Sequence, residues 1–147
     1  MFTLLKNNTA SVCIKLAETI LPQIIYTSIK SFPNECCGFI LEDYSFQPAF
    51  NAISTLNKPS LNSKNSFLID PETFKNINLL SKRIFAIYHS HTNGIADLSG
   101  YDMHSLKDTN IYNLIIGIND HKFTEAKLHL YNQEDDTFFS TSITIGD

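Results

Sequence analysis

Two histidines separated by one residue, His89 and His91, are the residues of this 147-residue chain best placed to bind a metal ion. They follow a continuous apolar run of strand length, residues 84–88. Because successive side chains of a strand point to opposite faces, the two imidazoles would share one face while Ser90 points to the other. Two neutral imidazoles on one face suit a divalent metal ion. His-X-His also occurs on ordinary strands, so the pair needs a third ligand nearby.

Asp102 is the candidate for that third ligand, because a carboxylate returning from the loop after the histidines would complete the site. It lies three residues after Ser99, and positions i and i+3 of a newly started helix share one face. Ser-X-X-Asp is also a helix-start pattern, so Ser99 is an N-cap candidate with Asp102 as its reciprocal partner. Asp97 is a second carboxylate within reach of the histidines. Two histidines and one carboxylate leave a position open for water, as in catalytic zinc sites, and they are also the ligand set of non-haem iron oxygenases.

Taken together, these spacings resemble the motif of the JAMM (MPN-plus) metalloproteases. That motif consists of a glutamate before a Cys-Gly strand, a His-Ser-His run, seven further residues, a serine, two residues and an aspartate. Its fixed positions correspond here to Glu35, His89, His91, Ser99 and Asp102. The order of the surrounding elements is similar as well, so the resemblance spans nearly the whole chain. Threonine and leucine replace two prolines that often flank the loop in this family, a departure that bears on loop conformation and substrate fit.

The resemblance implies a metal centre with five functional residues. One zinc ion would be held by His89, His91 and Asp102, and the protein would hydrolyse an isopeptide or peptide bond. Bound zinc lowers the pKa of its water to about 7 and polarises the scissile carbonyl. Glu35 would take the proton from that water and pass it to the leaving amine, a role typically worth about 10²–10⁴ in rate. Ser99 would donate a hydrogen bond to the oxyanion, which contributes about 2.7–4 kcal/mol for a well-placed donor.

For a compact prokaryotic member of this family, the resemblance implies a deubiquitinase-like isopeptidase that acts at the C-terminus of a ubiquitin-like protein. The expected partners are that protein or its conjugate and E1- or E2-like proteins of the same pathway, in some cases within antiphage defence. A second hypothesis is a phage tail-tip peptidase, because residues 35–38 read Glu-Cys-Cys-Gly as in those JAMM domains, although 147 residues leave no room for the NlpC/P60 domain joined to them. A third is a non-catalytic MPN scaffold, whose members usually lose motif residues that are all present here.

The composition is that of a globular protein and argues against several other classes. With 43% hydrophobic and 18% charged residues, the chain is expected to form a single domain over residues 1–147. A net charge of -4 and the lack of a basic, aromatic-rich run argue against nucleic acid as a partner. No apolar run approaches the ~20 residues that cross a bilayer, and no signal peptide is recognisable. We therefore expect no membrane partner and a cytoplasmic location, where the three cysteines would not form a disulfide framework.

The hydrophobic pattern predicts the elements that must position the site. One helix is expected after Thr19 and ends before Pro33, and a second starts at Asp70-Pro71. The apolar run over residues 36–41 predicts a buried strand directly after Glu35. Further strands are predicted over residues 12–16, 50–56, 84–88, 112–118, 126–131 and 138–145, with a polar loop over 57–66.

Helices and strands are thus mixed along the chain without a strict βαβ repeat, which predicts an α+β fold with a central mixed sheet. The family resemblance specifies it as an MPN-like (cytidine-deaminase-like) sheet flanked by helices. The remaining histidines lack partners at useful spacing and are expected to be structural: His104, His121 and His129.

Overall fold

One mixed six-stranded sheet with helices packed on it is formed by the described residues. The computed structural model describes residues 2–80, 82–107 and 110–145. The helices are α1 (Phe2–Glu18), α2 (Leu21–Ser31), α3 (Pro71–Leu79) and α4 (Gly100–Leu106), with a 3-10 helix at Ile53–Leu56. The strands are β1 (Cys37–Leu41), β2 (Phe46–Ala49), β3 (Ile84–His91), β4 (Tyr112–Asn119), β5 (Lys122–Asn132) and β6 (Thr137–Ser142). Their order is β2-β1-β3-β4-β5-β6, in which β3 and β4 run parallel and the other described neighbours antiparallel. The predicted α+β fold with a central mixed sheet is confirmed.

The inner strand β1 is covered on both of its faces. Ile40 joins a core with Leu16 of α1 and Leu21 of α2. Its neighbour Phe39 faces the other side of the sheet and packs with Ile77 of α3. Because alternate residues of a strand face opposite sides, coverage of both faces requires a continuous apolar run, and every residue of β1 is buried.

The first element is a helix, and the strand predicted over residues 12–16 is wrong. Val12 and Leu16 are buried, whereas Ile14, which the alternating pattern placed on the same face, is 60% exposed. Thr9, Val12 and Leu16 are the buried residues of α1 and follow the spacing of one helix face. That face packs on α2 and β5. The three alternating apolar residues match the period of a strand. The segment is nevertheless helical, because the helix buries one continuous face against its neighbours.

The strand predicted over residues 50–56 is also wrong. β2 ends before this segment, and Ile53–Leu56 is a 3-10 helix. The side chain of Asn51 explains the difference, because its Oδ1 atom accepts hydrogen bonds from the N–H groups of Ile53 and Leu68 at 3.1 and 3.0 Å. The segment pairs with residues 68–70 only through an isolated bridge between Asn51 and Ile69, and these side-chain bonds offer the chain an alternative to a longer strand.

The other predicted elements are present in the structure. α2 ends at Ser31, shortly before Pro33. α3 begins after Asp70, whose carboxylate accepts a hydrogen bond from the Thr73 N–H at 3.1 Å. The polar stretch over 57–66 contains turns and no helix or strand. The strands predicted to start at positions 36, 84, 112, 126 and 138 correspond to β1, β3, β4, β5 and β6.

The three cysteines of the chain, Cys13, Cys36 and Cys37, are free thiols. In the part of the chain that the structure describes, no single helix is long and apolar enough to cross a membrane. α1 and α2, which are bent by 67° at their junction, pass that test as a pair on length and composition.

Candidate metal centre

The end of β3 brings His89 and His91 to one face of the sheet. Both imidazoles are buried, and their Nε2 atoms lie 3.1 Å apart. Ser90 between them points the other way, and its Oγ atom accepts a hydrogen bond from the N–H of Cys36 at 2.9 Å. The Ser90 N–H in turn donates to the Cys36 carbonyl at 3.0 Å. The strand alternation therefore pairs the histidines and also ties this strand end to the segment that carries Glu35.

The start of α4 places the Asp102 carboxylate against both histidines. Its Oδ1 atom lies 3.2 Å from His89 Nε2, and its Oδ2 atom lies 2.8 Å from His91 Nε2. Ser99 is the N-cap of α4: its Oγ atom accepts from the Asp102 N–H, and its own N–H donates to Asp102 Oδ2, both at 3.0 Å. The capping box and the approach to the histidines use the same two side chains, so capping holds the carboxylate in place.

The converging atoms fit a divalent cation. The two Nε2 atoms are 3.1 Å apart, and the Asp102 oxygens lie 3.2 and 2.8 Å from them. Ligand atoms around a tetrahedral ion with bonds of ~2.0–2.1 Å are separated by ~3.3 Å. His91 Nδ1 lies 2.8 Å from the carbonyl oxygen of Ile95, and because a carbonyl only accepts, this nitrogen carries the hydrogen. Burial opposes protonation of His91, but the hydrogen bond and charge of Asp102 outweigh it and raise the pKa of His91 in the metal-free protein. Once the Nε2 hydrogen has left, this atom presents a lone pair to the centre, as a metal ligand must.

Packing orients the second imidazole, that of His89. The ring of Phe67 stacks on it, with 4.2 Å between the ring centroids and 22° between the planes. Its Nδ1 atom is buried without a hydrogen-bond partner among the described residues. Burial holds the pKa of His89 below its usual value, although Asp102 acts against this shift. The neutral imidazole is the form that binds metal ions.

A second carboxylate, that of Glu35, approaches the same histidines from the entrance to β1. Glu35 is buried, and one of its oxygens forms a group with a ring nitrogen of His89 and one of His91 in which all atoms lie within 4.8 Å of one another. Its N–H donates to the Ser63 carbonyl at 2.5 Å, and its own carbonyl accepts from Asn51 Nδ2 at 3.0 Å. Glu35, His89 and His91 together could hold a metal ion.

The two carboxyl groups differ in protonation although both are buried. Burial opposes the ionisation of Asp102, but hydrogen bonds from His89 and His91 outweigh it and hold the pKa of Asp102 far below its usual value. For Glu35 burial dominates and raises the pKa to about 8. Asp102 is therefore an anion at neutral pH, whereas Glu35 exchanges its proton close to neutrality.

A small cavity gives access to this centre. Its volume is about 170 Å³, and Glu35, His91 and Ser99 contribute to its wall. The rest of the wall comes from residues 64–65 and 92–93. A carboxylate, a hydroxyl-bearing residue and one of the converging histidines thus border the same space.

Most of the sequence matches a known protein family. The family model for prokaryotic homologs of the JAB domain matches residues 18–130. The chain belongs to this family. No curated protein matches it in sequence.

Several solved structures are similar to this chain in fold. A protein from Desulfitobacterium hafniense aligns with a TM-score of 0.62 and 19% identity, over 86% of this chain and 88% of its own. A protein from Salinibacter ruber aligns with a TM-score of 0.56 and 16% identity, over 87% and 88%. A JAB1/MPN domain protein from Archaeoglobus fulgidus aligns with a TM-score of 0.45 and 15% identity, over 76% and 83%. At these identities the likeness to the first two structures concerns the fold alone. The MPN-like fold expected from the sequence is confirmed by the match to the JAB-domain family model.

The rival carboxylate and the other histidines lie apart from the JAB-domain centre. Asp97 is exposed, and its Oδ1 atom pairs with Lys127 Nζ at 2.5 Å. His104 and His121 are exposed, and His129 is buried with hydrogen bonds at both ring nitrogens. Among the described residues, the group formed by Glu35 and the histidine pair contains none of these side chains. It does not contain Asp102 either, which is placed at the centre by its distances to both imidazoles.

Three contributions to the JAB-domain centre were not predicted from the sequence. They are the Asn51 side chain that holds the Glu35 backbone, the Phe67 ring on His89, and the Ile95 carbonyl that receives the His91 hydrogen. Each involves either a contact between segments distant in the sequence or a backbone group. The spacing of residue types along the chain predicts neither. Asn51 was placed in a predicted strand that the structure does not contain.

Proposed function

We propose that this JAB domain is a zinc-dependent peptidase or isopeptidase of the deubiquitinase-like kind, which cleaves the bond after the C-terminus of a ubiquitin-like protein. The observation that carries the proposal is the cavity in which Glu35 and Ser99 border the same space as His91. A purely structural metal site needs neither a proton acceptor nor a hydroxyl beside an open space. Membership of the JAB family supports the proposal, because that family includes metalloisopeptidases.

His89, His91 and Asp102 would hold the zinc ion, and Glu35 would act as the base. The Asp102 oxygens lie within 3.2 Å of the ring nitrogens, and the group is an anion, which suits a ligand. The Glu35 pKa of about 8 suits a proton acceptor, because acid–base catalysis works best with a pKa near the working pH. A cation at the histidines would lower this pKa towards neutrality.

Zinc, Glu35 and Ser99 would each contribute to a different part of the hydrolysis reaction. Bound zinc would polarise the scissile carbonyl and acidify a water molecule. Glu35 would accept a proton from that water and donate it to the leaving amine, so the proton removed during attack is returned as the bond breaks. In the capping box Ser99 Oγ accepts the Asp102 N–H, which leaves its hydroxyl hydrogen available to the oxyanion.

The proposed substrate is a ubiquitin-like protein in a conjugate or precursor. A cavity of about 170 Å³ admits a chain end rather than a folded surface, which suits a substrate with a protruding terminus. E1- or E2-like proteins of the same pathway are the further partners that we propose, in some systems within antiphage defence. The three free thiols suit a reducing, cytoplasmic setting.

The test is to offer the purified protein ubiquitin-like fusions and conjugates with a chelator, without it, and after zinc is restored. The metal content is measured on protein purified without added metal. We expect one zinc ion per chain, cleavage that stops with the chelator, and recovery with zinc. Cleavage that survives chelation, or iron as the sole tightly bound metal with oxygen-dependent turnover, would contradict the proposal. A chain that binds no zinc and cleaves nothing would be a scaffold.

A further inference from the structure

The peptide unit between Ile95 and Ala96 lies between β5 and the metal centre. Its N–H, which belongs to Ala96, donates a hydrogen bond to Glu125 Oε2 at 2.8 Å. Its carbonyl, which belongs to Ile95, accepts the hydrogen of His91 Nδ1 at 2.8 Å. Because a peptide unit is planar, its two polar groups cannot be reoriented independently. A rotation that broke the bond to Glu125 would also displace the acceptor of His91.

The exposure and burial of the two flanking side chains indicate that this peptide contacts the metal centre through its backbone groups. Ile95 is 51% exposed, so its contact with the centre is made by its carbonyl rather than by its side chain. Ala96 is fully buried, and its carbonyl accepts a second hydrogen bond from β5, from His129 Nε2 at 2.8 Å. Two side chains of β5 thus hold the polar groups of one residue in the loop before α4.

The loop also packs closely against the end of β4 and the start of β5. The Gly94 N–H donates to the Ile118 carbonyl at 3.0 Å. A Cβ atom on Gly117 would lie 2.6 Å from the Gly94 carbonyl oxygen and 2.7 Å from Thr124 Oγ1. Gly117 is the residue paired with Glu125 across the two strands. The missing side chain at this point lets the loop approach β5 closely enough for Glu125 to reach it.

We propose that Glu125 is a positioning residue of the metal centre, which acts on His91 through the Ile95–Ala96 peptide. Its carboxylate fixes the carbonyl that holds the hydrogen on Nδ1 and so keeps the Nε2 lone pair directed at the metal. A carboxylate at the N–H also polarises the peptide and strengthens its carbonyl as an acceptor, which raises the basicity of the imidazole. The inference rests on the proposed function only in so far as His91 binds the metal.

The first test follows the Nδ1 hydrogen of His91 by NMR at saturating zinc, where the metal occupies Nε2 and Asp102 no longer competes for the ring hydrogen. The wild type should show a hydrogen-bonded Nδ1–H that exchanges slowly with water. Glu125→Ala should give faster exchange, and Glu125→Gln, which keeps an acceptor oxygen, should restore the slow exchange. Glu134→Ala removes an exposed carboxylate beyond the end of β5 and should change nothing. An unchanged exchange rate of the His91 hydrogen in folded Glu125→Ala would overturn the inference.

The second test is zinc affinity, measured by competition with a chelator of known affinity. Glu125→Ala should bind zinc about 10–100-fold more weakly, the usual cost of losing an outer partner of a metal ligand. Glu125→Gln should lose less zinc affinity than Glu125→Ala, because the hydrogen bond to the Ala96 N–H remains while the negative charge is gone. If Glu125→Ala does not fold, Glu125→Gln decides, and an affinity equal to the wild type overturns the inference. A wild type that binds zinc in this Glu125-dependent way but hydrolyses no substrate would refute the proposed function and leave the inference standing.

Discussion

Asp102 and Glu35 face the same pair of histidines and are nearly equally buried, yet the protein holds them in opposite ways. The Asp102 carboxylate itself is held, by the Ser99 N–H and both imidazoles. Glu35 is held by its backbone, through Ser63 and Asn51, while its carboxylate borders the cavity. Burial alone raises the pKa of a carboxyl group, and hydrogen bonds to the carboxylate reverse that shift. Support through the backbone therefore leaves a buried carboxyl group able to exchange a proton near neutral pH.

Asp102→Asn should have the largest effect on the centre, because it removes the negative charge from the proposed ligand set. Loss of an outer partner of a ligand costs about 10–100-fold in metal affinity, and loss of the ligand itself should cost more. A competition titration with zinc measures this, and Asp97→Asn is the matched control that should bind zinc like the wild type. Tight zinc binding by Asp102→Asn would show that Asp102 is not a ligand.

Glu35→Gln should separate catalysis from metal binding. We expect the hydrolysis rate to fall by about 10²–10⁴, because the base is gone, while zinc affinity stays close to that of the wild type. Glu72→Gln, an exposed change of the same chemistry in α3, is the control for both measurements. If Glu35→Gln lost zinc and Asp102→Asn kept it, the roles of the two carboxyl groups would be the reverse of those proposed.

Ser99→Ala should affect both rate and stability, since the same hydroxyl group caps α4 and faces the cavity. The rate should fall by about 10²–10³ for the lost oxyanion donor. The free energy of unfolding should fall by about 1 kcal/mol for the lost N-cap. Ser99→Thr keeps the hydroxyl group and should recover most of the hydrolysis rate and most of the free energy of unfolding. Kinetic and denaturation measurements check this. A variant with reduced stability and an unchanged rate would confine Ser99 to capping.

The stability of the metal-free protein should depend on pH with opposite signs for the two carboxyl groups. The pKa of Glu35 is raised in the fold from 4.5 to about 8, so its contribution is complete below pH 4.5 and is lost as the pH rises through 8. The pKa of Asp102 is lowered, so its contribution is present above its ordinary pKa and is lost as the pH falls. Between pH 5 and pH 8 the wild type should therefore lose a few kcal/mol relative to Glu35→Gln, at roughly 1.36 kcal/mol per pKa unit. Urea denaturation of both proteins at several pH values measures the difference, and parallel curves would contradict the raised pKa.

Asn51→Ala should have the smallest effect on the centre and should act on the Glu35 side alone. Its side chain bonds four backbone groups, so its removal leaves buried partners unsatisfied and should cost about 1–3 kcal/mol of stability. The rate should fall as Glu35 loses its support, while zinc affinity should remain unchanged. Asn78→Ala, an exposed change in α3, is the control in denaturation and zinc titration. A loss of zinc affinity in Asn51→Ala would show that the Glu35 segment also supports the ligands.

Much of the fold could be predicted because local patterns and tertiary packing agree there. Asp70-Pro71 starts a helix by its own chemistry, and the apolar run over 36–41 forms a strand because both faces of β1 are covered. The hydrophobic pattern was misleading over residues 12–16 and 50–56, where it predicted strands that the structure does not contain. In the first segment, burial follows a helix face that packs on β5, and in the second, the Asn51 side chain binds backbone groups distant in the sequence. Neither partner can be read from the segment itself.

The same distinction applies to the centre. Strand alternation puts His89 and His91 on one face, and a capped helix start pairs Ser99 with Asp102, so the sequence by itself determined these two pairs. The family resemblance added Glu35. Only the tertiary structure decided that Asp102 rather than Asp97 meets the histidines. It also decided that Glu35 reaches them with a raised pKa, and that Glu125 reaches His91 through a peptide unit. Proximity, burial and hydrogen bonding between distant segments arise from packing, and no spacing along the chain encodes them.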